Sequence, residues 1–257
     1  MDWSRTKTIF IITFLLLNIF LTWQLIETHN MNQISLITEA TIQEVLRENN
    51  VTIEIELPEE ESPGLLVVGK QVELSLDDIP ALDDQEIDYL DSHTILSELE
   101  EPFALTREGF ASELPAFLST YVFEGDNYRF GGFDSERNRV YLYQAYGEKT
   151  AYTLDDEPLV LQLDEHLQII SYQQRYFQFE QQDGEEREML SSLKAIEVLL
   201  NDQLVRMNQT ISDVQFGYYS FFSPTGDVQV FAPMWRIKVD GEEYLVHAIG
   251  GSVQQLT

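Results

Sequence analysis

A serine three residues ahead of a lysine occurs twice, at Ser4–Lys7 and Ser191–Lys194. That spacing can set a hydroxyl nucleophile beside an amine base on one helix turn. Penicillin-type acylases use it together with Ser-Asp-Asn and Lys-Thr-Gly. The chain has neither partner motif, so both matches read as coincidence. Gly64-Leu-Leu-Val-Val-Gly-Lys70 imitates a phosphate loop, but Gln71 stands where magnesium needs Ser or Thr, and the interior is apolar and strand-like. The four histidines, His29, His93, His166 and His247, are scattered singly, outside any His-Glu-x-x-His pattern. There is no Gly-x-Ser-x-Gly elbow. There is also no cysteine, which excludes thiol catalysis, disulfides and Cys-ligated zinc. Asp77-Asp78, Asp83-Asp84 and Asp155-Asp156-Glu157 lack the ordered spacing of a calcium loop and read as solvated acidic loops. Among 45 Asp and Glu nothing singles out a catalytic pair. Asn50-Val-Thr and Asn208-Gln-Thr match the glycosylation pattern, a short pattern that chance also produces. No catalytic residue, cofactor or metal is assigned, and a regulatory or binding role is expected rather than an enzyme.

The 45 acidic residues face 15 Lys and Arg, a formal net charge of −30. Nucleic-acid binders need a basic footprint, so that partner class is excluded. An aromatic content of 12% argues for a folded core rather than an acidic disordered chain.

The opening twenty residues hold the most specific signal. Between Lys7 and Glu27 no residue carries a formal charge, and Thr8 to Ile26 is dominated by Ile, Phe and Leu. A helix of about 20 apolar residues crosses a ~30 Å hydrocarbon layer. A signal-peptide core is shorter and ends in small residues, whereas Trp23 is bulky and suits a membrane interface. The expectation is a retained signal anchor over 8–26. Arg5 and Lys7 precede it, so residues 1–7 are placed in the cytoplasm and everything after 27 outside. Inside the span, Asn18 and Thr22 share one helix face with Ile11 and Leu15. Such polar groups can join membrane helices or bond only their own backbone; the expected role is interaction.

The remainder reads as α+β. A juxtamembrane helix is expected over 27–49, stopping at Asn49-Asn50. An outer unit over 50–183 follows, then a second over 184–257, divided at the polar stretch Gln181–Glu186. In the first, Val51, Ile53, Ile55 and Leu57 alternate with polar residues and predict a strand, paired as a hairpin with Leu65–Leu74. Ile87–Leu99 is expected to hold a short helix. Thr106 is a candidate N-cap for a helix stopping near Pro115 or Tyr121. Strands are expected at Tyr121–Phe123, Tyr128–Phe133, Arg139–Tyr146 and Thr150–Thr153, then a hairpin of Leu159–Leu163 with Leu167–Phe179. The second unit begins with a helix in Met189–Leu204, with Leu193, Ile196, Leu200 and Leu204 on one face. Strands follow at Ile211–Phe222, Val228–Phe231, Trp235–Val239 and Tyr244–Ile249, with Asp240-Gly241 as a hairpin turn. Helix-then-sheet therefore occurs twice. The aromatic run Phe216–Phe222 reads as sheet core.

The opening Met1–Phe20, Tyr128-Arg-Phe-Gly-Gly-Phe133, Val140-Tyr-Leu-Tyr143, Gly217-Tyr-Tyr219, Ala232-Pro-Met-Trp235 and Val239-Asp-Gly241 together resemble the YycI (WalI) family over essentially the whole chain. The last unit also looks like a PepSY-type module. The resemblance implies a single-pass membrane regulator of the YycG/WalK sensor histidine kinase in Gram-positive bacteria. Such a protein acts with YycH through membrane-helix contacts, in control of cell-wall metabolism. A second copy of the chain is a further candidate partner. The competing expectation is an anchored outer module that senses a ligand.

Overall fold

The computed structural model describes residues 7, 10–22, 41–59, 65–106, 108–153, 157–182, 188–221 and 227–256. Residues 10–22 are helical and exposed. Among the described residues no helix is long and apolar enough to cross a membrane. Arg5, Trp23, most of the expected juxtamembrane helix and both ends of the expected 8–26 span lie outside the described residues.

The first helix of the outer portion is α1 (residues 41–48). The strands are β1 (Thr52–Ile53), β2 (Val67–Gln71), β3 (Gln85–Tyr89), β4 (Ile95–Ala104), β5 (Tyr128–Asp134), β6 (Arg139–Tyr146) and β7 (Lys149–Thr153), with α2 (Phe110–Tyr121) before β5. They continue as β8 (Leu159–Leu163), β9 (Gln168–Gln174), β10 (Phe177–Gln181), α3 (Ser192–Asn201), β11 (Thr210–Ser220), β12 (Val228–Val239), β13 (Glu242–His247) and β14 (Val253–Leu256). The fourteen strands among the described residues join one network, mostly antiparallel. The element order helix-then-meander does occur twice: α2 precedes β5-β6-β8-β9, and α3 precedes β11-β12-β13-β14.

Each helix covers one sheet face because its apolar residues recur at helical spacing. Leu114, Phe117 and Leu118 of α2 bury into a core with Val140, Leu142, Leu159, Leu161, Ile169 and Tyr172. Leu193, Ala195, Ile196 and Leu199 of α3 bury into a second core with Ile211, Trp235, Ile237 and Val246. Pro115 is tolerated inside α2, which runs on to Tyr121, the later of the two expected stops. Tyr121 is therefore helical and begins no strand.

Four further expectations are corrected. The hairpin of residues 51–57 with 65–74 does not form. β1 lies parallel to β11, with Ile53 opposite Ile211, and β2 instead pairs with β10 and β12. Val51, Ile53, Ile55 and Leu57 consequently pack with the second core rather than the first. Their alternation specified a buried face but not which sheet would supply it. The short helix in Ile87–Leu99 is instead a hairpin of β3 and β4. Ile95 and Ser97 point inward at period two and are fully buried, and the Asp91 carboxylate accepts from His93 N–H and Thr94 Oγ1 to close the turn. Pro102 falls where the β4–β9 register slips, so its missing N–H removes no ladder bond. The two strands expected at 228–231 and 235–239 are one strand, β12. Pro233 sits between the stretch paired with β2 and the stretch paired with β13, again where no donor is required. The long arm Leu167–Phe179 divides into β9 and β10, the latter leaving for β2. The hairpin at Asp240-Gly241 forms with both residues at positive φ, 49° and 94°, as a two-residue primed turn requires.

Candidate interaction site

The side chains proposed for helix contact lie on the exposed run 10–22. Phe10, Ile11, Phe14, Leu15 and Asn18 line one shallow apolar groove along it. Thr22 follows one turn beyond Asn18. The Asn18 amide donates to the Phe14 carbonyl at 2.8 Å, and the Thr22 hydroxyl donates to the Asn18 carbonyl at 2.8 Å. Both polar groups thus bond the helix backbone. Asn18 is exposed on an otherwise apolar stripe, and its amide carries an acceptor oxygen besides the bonded NH2. Ile11, Leu15 and Asn18 therefore share a face, and Lys7 is helical and exposed.

The motifs that could have done chemistry resolve into structural roles. Ser191 caps α3, its Oγ accepting from Lys194 N–H at 3.3 Å, so this serine–lysine pair is a helix start. Val67–Gln71 of the phosphate-loop imitation is strand β2. Asp77-Asp78 and Asp83-Asp84 fall in short 3₁₀ turns, while Asp155-Asp156 lies outside the described residues. Among the described residues no cluster of His, Asp and Glu could hold a metal. The His247 ring accepts at Nδ1 from the N–H groups of Ile249 and Gly250, and burial lowers its pKa. Asn50, expected as part of a helix stop and of a glycosylation pattern, and Asn208, of the other such pattern, are joined directly: Asn50 Nδ2 donates to Asn208 Oδ1 at 2.8 Å.

An aromatic group gathers where β7 runs beside β11. β11 carries β12 along most of its length and takes β7 alongside Tyr218–Ser220. Tyr152 stacks on Tyr219 with centroids 4.6 Å apart, and Tyr143 lies 4.9 Å from Tyr152. Arg236 sits over Tyr152 and pairs with Asp213 at 3.3 Å and Glu243 at 3.8 Å. Burial raises the Tyr219 hydroxyl beyond the usual tyrosine range and pushes Tyr143 up to about 12. Burial acts to lower Arg236, but Tyr219, Tyr152, Glu243 and Asp213 outweigh it, so the guanidinium stays charged. These groups contact one another across β6, β7, β11, β12 and β13 and tie those strands together. A second apolar groove, about 330 Å³, lies between α2 and the edge strand β5, floored by Leu114, Leu118 and Tyr128 beside Phe110 and Phe130. The register slip between Phe130 and Gly132 kinks that edge, which hinders strand addition.

No curated protein matches the chain. Among solved structures, an uncharacterized protein from Eubacterium rectale aligns with 9% identity over 80% of this chain and 86% of its own, with a TM-score of 0.42. YycH from Bacillus subtilis aligns with 11% identity over 74% of this chain and 56% of its own, with a TM-score of 0.38. Likeness at those scores carries no argument. The sequence itself is decisive: the model of the YycI protein family matches residues 29–249, from just beyond the apolar opening to just past β13. The chain belongs to the YycI family.

Proposed function

We propose that this protein is a non-enzymatic regulator of the YycG/WalK sensor histidine kinase, acting with YycH in control of cell-wall metabolism. The observation that carries the reading is the family match over residues 29–249. The protein is held in the cell membrane by a single N-terminal span, with residues 1–7 in the cytoplasm and the two sheet units outside. It acts on the kinase by contacting two kinase arrangements unequally. The face formed by Ile11, Leu15, Asn18 and Thr22 supplies that difference. Its apolar groove and the acceptor oxygen of the exposed Asn18 amide suit a neighbouring helix that donates a hydrogen bond, worth about 0.6–2 kcal/mol in a membrane.

The test is co-purification with the kinase from membranes. Three chains are compared: full length, one truncated at residue 30, and one with residues 8–26 replaced by an unrelated span. The expected result is association of the first two and loss in the third. Asn18→Leu in the full chain then weakens association several-fold. Equal association of the swapped chain would place recognition in the outer portion and overturn the helix mechanism.

A further inference from the structure

Helix α1 meets the outer sheet at a built joint. Ile42 and Leu46, four residues apart on α1, are almost fully buried in the second core. The helix then ends in a closed turn. Asn50 N–H donates to Arg47 O, Val51 N–H donates to Leu46 O, and Asn50 takes the left-handed conformation at φ 53°. This is a Schellman ending, and Val51 and Leu46 supply its apolar contact within the same core. Asparagine stands where glycine is usual. Its side chain explains the choice, because Asn50 Nδ2 reaches Asn208 Oδ1, and Asn208 is itself left-handed at φ 64°.

Backbone bonds extend the joint. Asn208 N–H donates to Asn49 O, Thr52 N–H to Gln209 O, and Glu54 N–H to Ile211 O, each at 3.0 Å. The chain thus passes from helix into a strand laid along the first residues of β11 with no slack between them. The opposite end of β11 holds β7, which belongs to the sheet of the first unit through β6. Over its 11 residues β11 spans roughly 36 Å. One strand therefore joins the helix entry at one end to the first unit at the other.

We infer that the α1–β1 joint on β11 is a rigid coupling, through which the strands of the outer portion set the direction of α1. The regulatory part of this inference rests on the function proposed above and on the helix expected over 27–49, most of which lies outside the described residues; the mechanical part rests on neither. A flexible tether would let α1 turn freely against the sheet. A clamped α1 follows any displacement of the second core, or of β7 through β11.

The absence of cysteine allows labels to be placed at will. In the full-length chain in lipid nanodiscs, spin labels at Gln43→Cys and Asp202→Cys report α1 against the second unit. The expected result is one narrow distance distribution. In Asn50→Ala combined with Asn208→Ala, the distribution broadens and amide exchange at Thr52 and Glu54 rises at least tenfold. Asn50→Gly, which keeps the left-handed turn without the side-chain bond, falls between. A broad distribution in the parent chain would overturn the coupling, whatever the kinase does. Kinase autophosphorylation in the same nanodiscs tests the relay. The double variant is expected to keep associating with the kinase while losing most of the parent chain's effect on it. Loosening without change in that effect would overturn the relay. Failure of the parent chain to bind the kinase would instead strike the proposed function and leave the mechanical result standing.

Discussion

Gln144 offers the sharpest test of how the first unit is closed. Its side chain is buried on β6 and mimics one more residue of ladder. Nε2 donates to Phe177 O at 2.7 Å, and Oε1 accepts from Phe177 N–H at 2.8 Å. Phe177 opens β10 and is itself buried. In Gln144→Ala both backbone groups lose their partner at once. Each orphaned buried group costs about 1–3 kcal/mol, so the variant should lose about 2–6 kcal/mol, a melting shift on the order of 10 °C for a chain of this size. Gln144→Glu discriminates the two bonds. It keeps an acceptor for the Phe177 N–H but sets a carboxylate against the Phe177 carbonyl. Burial and that carbonyl raise the folded-state pKa of the new acid above its unfolded value of about 4.3. The native state then binds the proton more tightly than the unfolded state. Relative to the parent chain, stability is therefore highest below about pH 4.3 and falls as pH rises through the raised folded value. Thermal unfolding of the full chain in detergent, followed by circular dichroism between pH 4 and 8, reads both effects. A Gln144→Ala variant melting within about 1 °C of the parent, or a Gln144→Glu deficit independent of pH, would refute the reasoning.

Further outcomes can be checked on the same preparation. Ser191→Ala should cost about 1 kcal/mol by removing the cap of α3, and Ser191→Asp should restore it; a loss much larger than that would point to a role beyond capping. Gly69→Ala sets a Cβ 2.9 Å from the Phe231 ring and 3.0 Å from Phe179, so it should destabilise by about 1–3 kcal/mol through overpacking; an unchanged melting midpoint would show that the rings yield freely. His247 has its pKa lowered by burial, so its contribution is complete above the unfolded value of about 6.5 and is lost as pH falls through the lower folded value. His247→Asn, which can accept from the same backbone N–H groups, should flatten that part of the pH–stability curve, and an unaltered curve would exclude the assignment.

Local pattern made much of the outer portion legible. The 3.6 spacing of Leu193 and Ile196, the alternation along Arg139–Tyr146 and the Asp240-Gly241 turn each depend on neighbours a few residues away, and each element formed where that local rule placed it. The hairpin at Gln85–Ala104 escaped because its dense carboxylates obscure the alternation of Ile95 and Ser97, whose burial depends on β9, some seventy residues on. The two asparagines of the helix joint escaped for a related reason. Asn49-Asn50 marks a helix end locally, but nothing near it announces Asn208. The apolar opening, the −30 charge, the absence of cysteine and the order of motifs that marks the family were determined by the sequence alone, because they are properties of the string and need no folding. Which sheet receives residues 51–57, how β11 comes to hold both the helix entry and the first unit, and why two glycosylation-like asparagines face each other were decided only by the tertiary structure. A period of two says that a strand has a buried face, but its partner is set by the burial of distant residues together.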